Sequence, residues 1–329
     1  MSDQLKSTFK SQDTEEWLDI HFTRPIGYLW ARLFMLFDVH PNVVTILSII
    51  LGAAAGVCFY FDSYFYTILG ILLLMWANFY DSCDGQMARL TGKKTLWGRI
   101  LDGFAGDVWF FTIYAAICLR LQDDAIPFLP RHEWGIWIWA LAALSGLICH
   151  AKQCQLADYY RNIHLYFLKG KQGSELDNSR KVKADYDALT WRKDFVHKLF
   201  LFFYRRYTLS QEEMTPRFQL LKQQLDARYQ EEIPTSLRDA FRAGSLPLMK
   251  WANILTFNTR AIVLYLSLLA FHPWIYFIFE LTIMNALWLY MRAKHEALCR
   301  RLMQNLATQQ RMKSEINLKG KREKGKGTK

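Results

Sequence analysis

Between Asp81 and Asp107 the chain reads DSCDGQMARLTGKKTLWGRILDGFAGD, with four aspartates and two arginines placed directly after an apolar run. Asp81 and Asp84 are three residues apart and share a face if the segment is helical; Asp102 follows a short break at LTGKKTLWG. Two helix ends joined by that break would point three or four carboxylates at one spot. Crowded carboxylates repel one another unless they are protonated or bridged by cations. Hard oxygen ligands of this kind suit Mg²⁺ shared with substrate phosphates. Gly85 and Ala88 keep the helix surface low, so that a phosphate or a base can approach the backbone, while Arg89 and the GKKT loop supply compensating charge for a pyrophosphate. An ordinary acidic helix cap would account for one or two aspartates, but not for this ordered mixture of Asp, Gly, Ala and Arg.

Such groups need elements to hold them. The 329-residue chain is 52% hydrophobic and still carries a formal net charge of +11, which argues for membrane spans interleaved with charged segments. Six apolar runs approach membrane length, at about 42–61, 66–80, 103–121, 134–154, 260–272 and 273–290. A tight FHPW corner joins the last two into a helical hairpin. The expected fold class is all-α: a polytopic membrane protein with about six transmembrane helices and a cytoplasmic helical insert. A soluble helical bundle needs fewer such runs, and several here are ringed by Trp and Tyr. The short loops DSYF and QDDAIPFLPRHE contain one basic residue, Arg131, whereas basic residues crowd 156–258 and the stretch after Met291. The positive-inside rule therefore places both termini, the insert and the aspartates in the cytoplasm of a multi-pass plasma- or inner-membrane protein. The six cysteines form no CxxC pair and read as small apolar residues.

Along the chain, residues 1–39 read as an amphipathic cytoplasmic arm rather than a cleavable leader. Residues 40–154 hold the first four spans and the aspartate stretch. Residues 155–255 form a charged helical insert with no nucleotide loop or metal-ligand cluster, and 256–295 hold the last two spans. Residues 296–329 are expected to be a disordered basic tail, drawn to anionic membrane lipids; without aromatic interleaving, nucleic acid is not the expected partner.

The stretch resembles the CDP-alcohol phosphotransferases, which carry D-x2-D-G-x2-A-R-x8-G-x3-D-x3-D. Asp81, Asp84, Gly85, Ala88, Arg89, Gly98 and Asp102 occupy the motif positions, and HPNVVT before the first span is similar to that family's Pro-Asn-x-x-Thr element. The resemblance covers about 40–154 and 255–295. It implies transfer of a substituted phosphate from a CDP-alcohol to an acceptor hydroxyl with release of CMP, on one or two Mg²⁺ (or Mn²⁺) ions. It further implies that Asp81, Asp84 and Asp102 hold metal and that Gly85, Arg89 and Thr95 contact the cytidine diphosphate. Ala88 and Gly98 would give clearance, Asn42 to Thr45 would line the nucleotide site, and the chain would be a homodimer. The fourth motif aspartate should fall at 106, but that position is Gly106 and the aspartate is Asp107. We expect Asp107 to serve as fourth metal ligand and base through a π-bulge that restores the register; the rival arrangement has Asp107 packing elsewhere.

The implied product is a phospholipid, with CDP-diacylglycerol as the expected donor and a polyol or polyol phosphate as the expected acceptor. His150, Lys152, Arg161, Arg260 and Arg292 are candidates to bind an acceptor phosphate, against a plain anchoring role. A choline- or ethanolamine-type reaction on a lipid alcohol, a transporter and an inactive scaffold are the alternatives.

Overall fold

The computed structural model describes residues 5, 8–9, 11–127, 129–170, 174–229 and 233–324. After a π-helical turn at Asp19–Thr23, the helices are α1 (Arg24–Leu36), α2 (Pro41–Tyr60), α3 (Tyr64–Leu90) and α4 (Leu96–Leu121). A small antiparallel hairpin, β1 (Ala125–Ile126) and β2 (Leu129–Glu133), leads to α5 (Gly135–Ala143). A π-helical turn at Leu144–His150 carries α5 directly into α6 (Ala151–Lys169). Then come α7 (Ser179–Ala188), α8 (Phe195–Met214), α9 (Pro216–Tyr229), α10 (Thr235–Ile254) and α11 (Phe257–Leu269). The chain ends in α12 (Trp274–Phe279), a π-helical turn at Glu280–Met284, and α13 (Asn285–Lys324).

The molecule is an all-α polytopic membrane protein. Among the described residues, five stretches are long and apolar enough to cross a membrane: Pro41–Tyr60, Leu96–Leu121, Gly135–Lys169, Thr235–Leu269 and Trp274–Met312. This is one fewer than the six apolar runs of the sequence. The run at 66–80 lies in α3, whose last third is polar and includes Asp81, Asp84 and Arg89, and α3 is not among the five. Apolar side chains such as Ile50, Leu72, Phe111, Ile136 and Leu147 stand exposed on these helices, as expected where lipid takes the place of a protein neighbour.

α2 packs against both α3 and α4, and small residues set the spacing. A Cβ added at Gly52 would lie 2.0 Å from the Trp109 ring, and one at Gly56 would lie 2.6 Å from Thr112 Oγ1, so only glycine permits this approach of α2 to α4. Trp109 Nε1 donates to the Ser48 carbonyl at 2.9 Å, which fixes the rotation of the pair. A core containing Phe59, Leu74, Ile113, Ile117, Leu264 and Tyr276 joins these helices to α11 and α12. The FHPW corner does make a hairpin: Phe271 takes a positive φ of 57°, and His272 N donates back to Ser267 O at 2.9 Å.

A second core unites α6, α9, α10 and α13 through Tyr160, Phe167, Phe218, Leu225, Phe241 and Leu302. The insert therefore packs on continuations of the spans, and the boundaries drawn at 154/155 and 295/296 fall inside continuous helical runs. The disordered tail expected over 296–329 is corrected as far as Lys324, because α13 is helical to that residue. Good helix formers run from Ala297 through Met312, and Cys299, Leu302 and Leu306 are buried in this core. Residues 325–329 lie outside the described residues.

Candidate active site

The acidic residues stand where α3 ends and α4 begins. α3 terminates after Leu90, and Gly92 turns the chain at φ +69°. Thr95 then caps α4, its Oγ1 accepting from Gly98 N at 2.9 Å. This cap places Asp102 in the second turn of α4, opposite the last turns of α3. At the adjacent start of α2, Pro41 takes the first helical position and His40 Nδ1 accepts from Asn42 N at 3.2 Å. One turn on, Thr45 Oγ1 donates to Asp84 Oδ2 at 2.5 Å. Three helix termini thus converge, held by short local devices that the sequence spells out.

Between them lies a cavity of about 360 Å³. Asn42 and Thr45 line it from α2, Asp84, Gly85, Ala88 and Arg89 from α3, and Thr95, Gly98 and Asp102 from the following segment. Gly98 faces Asn42: a Cβ there would lie 3.2 Å from both Asn42 Oδ1 and Thr95 Oγ1. The Arg89 guanidinium folds back toward Gly85, at 3.4 Å from the position a Cβ would take. Arg89 Nε and Nη2 are buried and, among the described residues, have no hydrogen-bond partner. Buried unsatisfied donors of a charged group are costly, and an anion that draws the Arg89 guanidinium into the cavity it lines would satisfy them.

Asp81 is not part of the lining but sits behind it, in hydrogen-bonding contact with the Asp102 carboxyl and under the charge of Asp84 and Arg24. Two carboxyls in contact need a shared proton or an intervening cation. Among the described residues, no group of three or more carboxylate, imidazole or thiol side chains stands ready-made around a metal ion. In this arrangement Asp81 is closed on Asp102 and Asp84 on Thr45. The donor chemistry nevertheless fits a hard divalent cation, since three carboxylates from two helix ends meet beside a cavity that also presents an unsatisfied guanidinium.

Asp107 does not join them. No π-bulge separates it from Asp102, for α4 is α-helical from Leu96 to Leu121, and the π-helical turns named above lie elsewhere. Five residues along a regular helix turn a side chain by roughly 140° from its starting direction. Asp107 accordingly is absent from the cavity lining, and the charge acting on it is His150. At Gly106 an added Cβ would meet nothing within 4 Å, so the motif position holds open space.

Other residues near the site escaped the sequence reading. Arg24, from the start of α1, is ion-paired to Glu15, reaches Ser82 Oγ at 3.4 Å and adds charge beside Asp81. Glu175, Asp177 and Lys181 of the insert line the cavity as well, alongside Arg99 and the Lys93 and Lys94 side chains of the GKKT loop. Arg24 and the insert residues arrive from distant segments that no local spacing connects.

The cations considered for an acceptor phosphate are engaged in packing. Arg260 is wholly buried, ion-paired to Glu280 and bonded to Gln153 Oε1 at 2.8 Å. Arg161 donates to Asn253 Oδ1 at 2.6 Å, Lys152 to Ser210 Oγ at 2.5 Å and Arg292 to the Met214 carbonyl at 3.1 Å. His150 lies against Phe110, with ring centroids 4.3 Å apart, and 3.1 Å from Arg260 Nη1. These contacts hold the spans to the insert.

Comparison with known proteins agrees with the site. The family model for CDP-alcohol phosphatidyltransferase matches residues 38–163, which include α2, α3, α4 and α5. A "Bifunctional IPC transferase and DIPP synthase" of Aquifex aeolicus (strain VF5) is 28% identical over 108 residues, covering 33% of this chain. The match spans 22% of that protein's length, so the likeness is confined to one part of it. The matched segment contains the converging helix ends, the cap at Thr95 and every acidic residue of the trio, so the likeness to the CDP-alcohol phosphatidyltransferase family lies in residues 38–163, where the site is built.

Proposed function

We propose that this protein transfers a substituted phosphate group from a CDP-alcohol to an acceptor alcohol and releases CMP, as a step of phospholipid synthesis. The observation that carries the reading is Arg89: a guanidinium with two buried, unpartnered donor atoms on a cavity beside three carboxylates. That combination suits a pyrophosphate bridged to acidic groups by divalent cations, and the match at 38–163 supplies the cytidylyl identity. Asp81, Asp84 and Asp102 would hold Mg²⁺ or Mn²⁺, which when bound neutralises charge on the transferring phosphate. Thr45 orients the Asp84 carboxylate, Arg89 binds the diphosphate, and Gly85, Ala88 and Gly98 leave room for it. The acceptor oxygen bonds to the phosphorus next to the donor alcohol as the P–O bond to CMP breaks. CMP leaves with the electron pair, and the hydroxyl proton passes to the acidic cluster.

CDP-diacylglycerol is the donor we favour, because the cavity opens at the end of apolar helices, and a small polar alcohol is the acceptor. The acidic ends face the cytoplasm in this reading, as the distribution of basic residues requires, and the chain acts as a homodimer. Release of CMP from CDP-diacylglycerol by the purified protein with Mg²⁺ or Mn²⁺, across a panel of polar alcohols, tests it. Turnover only with CDP-choline or CDP-ethanolamine and a lipid alcohol would reassign the substrates. Absence of CMP release with every donor would remove the activity.

Gly106 favours a second reading, a catalytically inactive scaffold, since the motif's fourth carboxylate is missing there. Metal-dependent turnover that disappears in Asp81→Ala excludes it.

A further inference from the structure

The insert closes the cavity from a direction that the matched segment does not reach. Residues 174–178 and α7 contribute Glu175, Asp177, Lys181, Val182 and Asp185 to its lining. They are held there firmly. Asp177 is ion-paired to Arg99 of α4 and accepts from Tyr204 Oη at 2.5 Å. Val182 is 2% exposed and forms a small core with Ile100 of α4 and Leu201 of α8. Trp97 of α4 stands 5.0 Å, centroid to centroid, from Phe200. Ser179 N and Oγ both bond to the Glu212 carboxylate, at 2.9 and 2.5 Å, which ties the start of α7 to the end of α8.

The two walls differ in chemistry. The wall built by α3, α4 and their connection presents Arg89, Lys93, Lys94 and Arg99, next to the acidic trio. The opposite wall presents mainly carboxylates, with Lys181 among them. A diphosphate is repelled by the second wall and held by the first, so a bound CDP must turn its uncharged half toward the insert. That half offers ribose hydroxyls and an exocyclic amine as donors, which carboxylates accept, and a base carbonyl, which an ammonium satisfies. Lys181 and Asp185 are four apart on α7 and share one face. Among the described residues, neither has an ion-pair or hydrogen-bond partner. Asp177, by contrast, is committed to Arg99 and Tyr204, and its work is to position the loop.

Resting on the proposed function, we infer that the insert is the nucleoside-binding wall of the donor site, with Lys181 and Asp185 reading the sugar and base of the CDP group. The cytidylyl specificity of this protein is thus shared with a segment outside the matched domain. Calorimetric titration of the full-length protein in detergent with Mn²⁺, using CDP and inorganic pyrophosphate as separate probes, tests the assignment. Lys181→Ala and Asp185→Ala should each weaken CDP binding roughly tenfold, the scale of one lost charge-assisted hydrogen bond. Both should leave pyrophosphate binding within about twofold of the parent, an asymmetry that general loosening of the fold does not produce. Unchanged CDP affinity in both variants, or parallel loss of both probes, overturns the nucleoside wall while the proposed function stands. A parent protein that binds neither probe overturns both.

Discussion

Arg89 shows how a single side chain reveals a ligand. Its guanidinium is covered, and two of its nitrogen atoms lack a partner, an arrangement that costs stability unless something else is gained. Arg89→Met removes the unsatisfied donors and keeps much of the volume. Its expected outcome is an unchanged or raised melting temperature together with a loss of CDP affinity of at least about tenfold, since a charged hydrogen bond contributes about 1.5–3 kcal/mol. Thermal unfolding and nucleotide titration on the same preparation check both. Gly106 permits a gain rather than a loss. Its surroundings are open, and residue 106 on a regular helix lies only about 40° from Asp102. Gly106→Asp should therefore add a fourth carboxylate to the cluster and tighten Mn²⁺ binding, whereas Asp107→Asn should leave Mn²⁺ affinity unaltered; weakened Mn²⁺ binding in Asp107→Asn would restore Asp107 to the site. The trio itself was legible in the sequence because three-residue spacing on one helix and a short capped break are local facts. Placing Asp107 was not, because a helix and a bulged helix share one sequence and only packing chooses between them.

At the level of elements, the glycines of α2 decide where the site is assembled. Thr45 and Asn42 reach the cavity only because α2 lies close to α4, and that closeness needs bare backbone at Gly52 and Gly56. Gly52→Leu would drive a side chain into the Trp109 ring. Overpacking of this kind costs about 1–3 kcal/mol, and here it should also separate Thr45 from Asp84. The expected result is a lowered unfolding temperature in detergent with weakened metal binding, read by thermal unfolding with and without Mn²⁺; metal binding at full strength would show that α2 can shift without disturbing the carboxylates. The spans were readable from apolar length, though α3 was harder because one helix serves both lipid and site. The helical continuation of α13 is hidden in the sequence for a different reason. Its basic composition past Arg311 resembles a solvated tail, yet the helix is already committed upstream by Cys299, Leu302 and Leu306 in the shared core, and propensity carries it onward.

Across the whole molecule, the amino-terminal arm ties the parts together, and nothing local in the sequence announces it. Gln86 Nε2 donates to the Arg24 carbonyl at 3.0 Å, and Arg24 lies beside Asp81, so the arm backs the acidic trio. Asn258 Nδ2 donates to Glu16 Oε2 at 2.7 Å and to Asp19 Oδ1 at 2.9 Å, which fixes the same segment to α11. Asp13 extends the attachment to the insert, accepting from Arg242 Nε at 2.7 Å and lying 3.1 Å from His164 Nε2. The Arg242 hydrogen bond holds the Asp13 carboxyl below its ordinary value, outweighing the opposing effect of burial. The sign of the linkage follows: a depressed carboxylate contributes its stabilisation above the ordinary aspartate range and loses it as pH falls through the lower folded value. The arm should accordingly stay docked at neutral and mildly acidic pH and loosen only below the usual aspartate range. Asp13→Asn removes the charge at every pH and should loosen it at neutrality. Limited proteolysis at pH 7 is the measurement: cleavage within 11–39 should be faster in Asp13→Asn than in the parent, and CDP affinity should fall with it, because Arg24 is held on the same arm. Resistance equal to the parent's would mean that the Glu16, Asp19 and Arg24 contacts alone suffice, and that the insert and the carboxylates are coupled only through α4.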